Sequence, residues 1–178
     1  GIDMVAGPSE ILVVADAANN PEWIAADVLC QAEHDATAQS ILFTDDTGFA
    51  NAVAEAVERQ LDTLPTQNTA RASWSNYGAI IVFDDLAAAP PLIDRLAPEH
   101  LELAVDDAAA EAIFAGVRHA GSVFIGRHTP EAVGDYVGGP NHVLPTGRRA
   151  RFSSGLSVLD FMKRTSFRLT SLLRSRMT

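Results

Sequence analysis

Short apolar runs alternate along the chain with stretches in which apolar residues recur every three or four positions. Ile11–Ala15 (ILVVA), Ser40–Thr44 (SILFT), Ala79–Phe83 (AIIVF), Leu101–Val105 (LELAV) and Ser122–Ile125 (SVFI) are short, apolar and mostly β-branched or aromatic, and predict strands. Between them lie four helical patterns. Pro21–His34 opens with Asn20 as a cap, Pro21 in the first turn and Glu22 near the positive end of the helix dipole. Thr47–Leu61 is rich in Ala and Glu. Leu86–Leu96 tolerates Pro90 and Pro91 only near its start, and Ala108–His119 completes the set. Strands of this kind alternating with helices predict an α/β fold: an open, mainly parallel, doubly wound sheet with helices on both faces. A closed eight-fold barrel needs more chain.

After Ile125 the pattern breaks. Residues 126–155 are rich in Gly, Pro and Arg and show little periodicity. A long irregular segment inside a compact domain is usually functional. The chain therefore divides into an α/β portion over residues 1–147 and a basic C-terminal extension over 148–178.

Composition narrows the class. The chain has 178 residues, 47% hydrophobic and 20% charged, enough for one domain with a real core. No apolar run approaches the ~20 residues that span a bilayer. Gly1–Pro8 lacks the basic start and apolar stretch of a signal peptide, and without Met at position 1 it does not read as a natural start. The net charge of −10 argues against nucleic acid and anionic membrane as partners. Residues 148–176 reverse the sign, with eight Lys or Arg against the single acid Asp160. Such a segment either touches phosphate or packs on an acidic neighbouring surface. The lone Cys30 allows no internal disulfide and no cysteine-based zinc cluster. It fits a buried structural thiol on a helix face, and the cytoplasm as the expected location.

Four clusters could carry chemistry. Gln31 and His34, three apart in QAEHD, share a helix face and could hold one metal. Spacing alone favours the simpler alternative, a polar helix end with His34 on the negative end of the dipole. Glu99 and His100, in APEHLEL, offer a carboxylate and an imidazole side by side, suited to activating water and to general base catalysis. Asp135 and His142 stand in the Gly- and Pro-rich loop GDYVGGPNHVLPT, where glycines permit close backbone approach to a ligand. Ser9, in AGPSE, could touch substrate or cap a turn. His119 and His128 lack motif partners. No Gly-x-Gly-x-x-Gly, Walker loop or Gly-x-Ser-x-Gly is present.

Five segments in order resemble the histidinol dehydrogenase family: GIDMVAGPSE at 1–10, QAEHD at 31–35, APEHLEL at 97–103, TPEAVGDYVGGPNHVLPT at 129–146 and ARFSSGLSVLDFMKR at 150–164. The resemblance implies an incomplete Rossmann-like fold in a homodimer, or in a partnership with a missing domain. It also implies an NAD-dependent oxidation of L-histidinol through L-histidinal to L-histidine, with zinc as the metal. By the same resemblance Gln31, His34 and Asp135 are zinc ligands and Glu99 and His100 the acid/base pair. Ser9, Gln31, His34, His100, Asp135 and His142 face the substrate. The family's enzyme is longer: the chain begins in the middle of it, without the cofactor-binding part. Residues 165–178 replace a helical arm that carries a further zinc-binding His, so the isolated chain is expected to be inactive. Two other readings remain: a shortened relative that binds without catalysis, and a zinc- and NAD-dependent dehydrogenase for another alcohol.

Overall fold

The computed structural model describes Val5, residues 7–139 and residues 141–168. Five parallel strands form one sheet: β1 (Glu10–Ala15), β2 (Gln39–Thr44), β3 (Ala79–Val82), β4 (His100–Ala104) and β5 (Ser122–Ile125). Their order is β3-β2-β1-β4-β5, so the chain reverses direction across the sheet between β1 and β4. The strands fall within one residue of the apolar runs that predict them.

The helices begin where the sequence supplies a cap. The Asn20 side chain accepts from the Glu22 N–H ahead of α1 (Pro21–Ala32), and Asp46 accepts from Phe49 ahead of α2 (Thr47–Leu61). Asp106 accepts from Ala108 and Ala109 at the start of α5 (Asp107–Gly116). Each oxygen satisfies a donor that the first helical turn leaves free.

Three helical expectations need correction. The predicted helix Leu86–Leu96 is a 3-10 turn, Leu86–Ala88, followed by α4 (Pro90–Leu96), because Pro90 and Pro91 can start a helix but not lie within one. The helix α3 (Gln67–Tyr77) has no counterpart in the sequence reading. Its run of polar and small residues shows no wide apolar stripe, and only Ala70 and Ser73 are buried. The irregular segment after Ile125 contains one short helix, α6 (Ala132–Tyr136). In the described part of the C-terminal extension, the regular structure consists of 3-10 turns at Arg149–Arg151 and Val158–Phe161; residues 169–178, most of the segment expected to stand in place of the arm, lie outside the described residues.

Side chains alternate across the strands and feed two cores. Ile11, Val13, Ala15, Leu42 and Ala104 join α1, α2 and α3 on one face. Leu12, Val14, Ile41, Phe43, Leu101 and Leu103 join α4 and α5 on the other. Crossovers of one hand explain the division. The chain steps β1-β2-β3 in one direction with its helices on the first face, then returns to β4 and β5 in the other direction with its helices on the second. On the first face α1, α2 and α3 pack against β1, β2 and β3. By alternation from Ala104, His100 and Glu102 point to that same face, in the half where β4 and β5 lie.

Phe43 is completely buried and packs on Phe83 at a ring separation of 4.9 Å, whereas Val82, at the sheet edge, is 45% exposed. Phe43→Ala should lower the unfolding free energy by about 3–5 kcal/mol, and Val82→Ala by under about 1 kcal/mol, in urea denaturation. Equal costs would contradict this placement of core and edge.

Candidate active site

The site forms on the half of the first face beside α1, over β4 and β5. The chain leaves α4 through Ala97, a non-glycine residue with φ of +48° that caps the helix in the left-handed region. That turn brings Pro98 and Glu99 to the amino end of β4, whose first residue is His100. Both Glu99 and His100 are buried.

Glu99 Oε2 accepts from the Glu10 backbone N–H at 3.0 Å. His100 Nδ1 lies 2.9 Å from the Glu10 carbonyl oxygen. A carbonyl only accepts, so Nδ1 carries hydrogen, and neutral His100 keeps its free lone pair on Nε2. Nε2 lies 2.7 Å from His142 Nε2, and the two rings stack with centroids 4.8 Å apart and planes 13° from parallel. One proton between two facing ring nitrogens satisfies both.

The loop after β5 delivers the rest. Glu131, 1% exposed, places Oε1 3.2 Å from His142 Nε2 and 3.4 Å from His100 Nε2. Asp135 Oδ1 lies 3.5 Å from His142 Nε2. Phe124 flanks both imidazoles. Gly134 is needed here for close approach: a β-carbon would come within 2.7 Å of His142 Cε1 and 2.9 Å of Phe124. Thr146, fully buried, accepts from Gly7 N–H and donates back to the Val5 or Gly7 carbonyl, tying the loop's far end to the segment before β1.

Burial and crowded negative charge set the proton affinities. Burial, reinforced by the charges of Glu10, Glu131 and Asp135, raises Glu99 to about 7, so it can gain or lose a proton near neutrality. Burial lowers His100, with the Glu131 carboxylate opposing, which keeps it a neutral base. Burial raises Glu10 as well, and its Oε2 is buried without a hydrogen-bond partner among the described residues. Carboxyl groups in excess, one with an orphaned oxygen, make a site suited to a cation.

Behind the site lies a second acidic pair. Asp27 on α1 hydrogen-bonds Glu102 on β4. Burial and then the Asp27 charge push Glu102 up to about 9, while burial raises Asp27 to about 6. Glu102 Oε2 accepts from the Glu131 backbone N–H at 3.3 Å. The Cys30 thiol, kept protonated by burial and by the nearby Glu131 charge, has one hydrogen to donate and two acceptors in reach, Asp27 O at 2.9 Å and Glu131 Oε2 at 3.2 Å.

Of the predicted residues, the structure brings Glu99, His100, Asp135 and His142 into one cluster. Gln31 is buried, with its amide 3.9 Å from Cys30 Sγ and so beside the Glu131 contact. His34 is exposed past the end of α1, and Ser9 is partly exposed next to Glu10. Cys30 is only partly buried as a residue. Among the described residues, His100, Glu131 and His142 each place a donor atom within 4.8 Å of the others, close enough for one cation.

Sequence reasoning missed Glu10, Asp27, Glu102 and Glu131. Signals existed for two. Glu102 is a charge inside an apolar strand, two residues from His100 and therefore on its face. Asp27 precedes Gln31 and His34 by four and seven positions on one helix face.

A sequence model of the histidinol dehydrogenase family matches residues 1–174. The histidinol dehydrogenase of Mesorhizobium japonicum is 68% identical over 166 residues, 93% of this chain and 38% of that protein. That of Zymomonas mobilis is 67% identical over 167 residues, 94% of this chain and 38% of that protein. The crystal structure of histidinol dehydrogenase from Elizabethkingia anophelis superposes with a TM-score of 0.85 at 42% identity, covering 93% of this chain and 37% of that one. The chain thus spans 38% of the length of the curated relatives it matches.

The raised Glu102 affinity carries a stability signature. An acid with an ordinary value of 4.5 and a folded value of about 9 stabilises the fold while protonated, fully below 4.5, and loses that contribution as pH rises toward 9. Glu102→Gln, which has nothing to ionise, should therefore gain in melting temperature over the parent progressively between those limits. A difference that does not change with pH would contradict the buried, protonated Glu102.

Proposed function

The chain belongs to the histidinol dehydrogenase family, and from that premise we propose that it forms the acid/base and metal-binding part of an NAD-dependent oxidation of L-histidinol through L-histidinal to L-histidine. The supporting observation is the convergence of Glu99, His100, Asp135 and His142, from separate segments, at the amino end of β4.

In this reading His100 is the base. The Glu10 carbonyl holds its hydrogen on Nδ1, and Nε2 takes the hydroxyl proton of the alcohol. Burial favours the neutral ring before that step, and the nearby Glu131 carboxylate favours the imidazolium after it. Glu99, poised near neutrality, takes a proton from the water that adds to the aldehyde, giving the hydrate that the second oxidation turns into the acid. His142 and Ser9 contact the substrate.

Gln31, His34 and Asp135 are the residues that would hold zinc, with oxygen and imidazole donors of the kind zinc accepts. The donor atoms of His100, Glu131 and His142, gathered within 4.8 Å of one another with Asp135 beside them, support a cation at this cluster. When bound, zinc supplies a Lewis acid that anchors the substrate's amine and imidazole. The dinucleotide does not fit this chain in the same way. The crevice at the carboxyl ends of the strands, where open α/β sheets usually bind ligands, is lined by Asp16, Asp45, Asp85 and Asp106, whose charge opposes a pyrophosphate. The cofactor would be held by the part of the longer protein that this chain does not span. The site lies in the cytoplasm of the cell, within a homodimer.

A chimaera in which this chain replaces the matching stretch of the Mesorhizobium japonicum relative should turn over L-histidinol with NAD⁺. The Glu99→Gln, His100→Ala double variant should lose about 10²- to 10⁴-fold in kcat. A folded chimaera without turnover, or a double variant as active as the parent, would overturn the reading.

A further inference from the structure

We propose that Glu131 is a positioning residue, a buried carboxylate that aligns the His100 and His142 rings and faces the charge the pair gains once His100 takes up a proton, with its own seat fixed by Glu102. The consequence for turnover rests on the function proposed above; the arrangement itself does not.

The geometry argues for a dedicated seat. Glu131 is 1% exposed, and a carboxylate so placed is costly unless each oxygen is matched. Oε1 lies within 3.4 Å of both imidazole Nε2 atoms, and Oε2 lies 3.2 Å from the Cys30 thiol, whose hydrogen it can accept. The backbone is held too, since Glu131 N–H donates to Glu102 Oε2, and Glu102 is itself hydrogen-bonded to Asp27 on α1. The loop that carries His142 is thereby pinned to β4, two residues from His100.

The pairing of the rings needs such a group. His100 Nδ1–H is committed to the Glu10 carbonyl, so the short contact between the two Nε2 atoms holds a single proton. With the proton on His142, Nε2–H can point to His100 or to Glu131. Once His100 takes a proton from a donor, two ring protons face one another, and Glu131 Oε1 is the acceptor within reach of both. A neutral residue there could accept a hydrogen bond but not balance the charge. Asp135, the other carboxylate near His142, is exposed and more distant.

The test begins with the full chain, labelled with ¹⁵N at histidine, at one neutral pH. The parent should show His100 protonated at Nδ1 and a far-downfield proton shared between His100 and His142 Nε2. Glu131→Gln, close in size but uncharged, should lose the shared-proton signal while retaining a cooperative melt and the Nδ1–H signal of His100. Glu131→Asp, which keeps the charge but withdraws it by one methylene, should lose it as well; it also serves if the Gln variant does not fold. In the chimaera Glu131→Gln should lower kcat about 10- to 100-fold, with KM within about threefold of the parent. A retained shared-proton signal in either folded variant overturns the proposal. So does a loss confined to KM, or a lost zinc affinity in calorimetry, which would make Glu131 a substrate contact or a ligand. If the parent chimaera is inactive, the functional reading fails while the spectroscopic result still decides the arrangement.

Discussion

The handedness of the crossovers decides which face of the sheet each helix covers. A parallel sheet wound in two directions places its helices on opposite faces. Here α1, α2 and α3 pack with β1, β2 and β3, while α4 and α5 take the other side. The first-face half over β4 and β5 is left for the loop after β5. Residues that would otherwise sit under a helix, His100 and Glu102, instead meet Glu131 and His142 of that loop. The site thus occupies a sheet face near the amino ends of the strands rather than the carboxyl-end crevice.

The crevice at the switch point has a structural use. Asp16 follows β1 and pairs with Arg127, which follows β5, with the second guanidinium contact at 2.7 Å. Burial works to raise Asp16, but the Arg127 hydrogen bonds outweigh it and hold it below its ordinary value. The same guanidinium and the Asn19 amide also cap the Ala104 carbonyl. Polar groups at this crevice are occupied in closing the sheet's end. The amino-end site shows the opposite character, with unmatched carboxyl oxygen and two imidazoles sharing one proton.

Much of the fold is legible in the sequence because it rests on local signals. Apolar runs mark all five strands, and Asn20, Asp46 and Asp106 mark helix starts. The helix α3 escapes because its stability comes from tertiary contact with α1 and β2 rather than from an apolar stripe. In the site, Glu99, His100, Asp135 and His142 are visible as motif residues, whereas Glu131 and Glu10 are not. Nothing in local spacing tells that residues 10, 99, 100, 131 and 142 meet, since that depends on the strand order. The roles of Gln31 and His34 rest on family resemblance, with Gln31 buried near the cluster and His34 at the surface.

On the function proposed above, this crowded, carboxylate-rich face holds a cation beside the imidazole pair. Calorimetric titration of the full chain with Zn²⁺ at neutral pH tests it most directly, with an Asp135→Asn, Gln31→Ala variant as the comparison. One site is expected in the parent and at least a tenfold weaker one in the variant. Equal affinity in the two, or no binding by a folded parent, would contradict it.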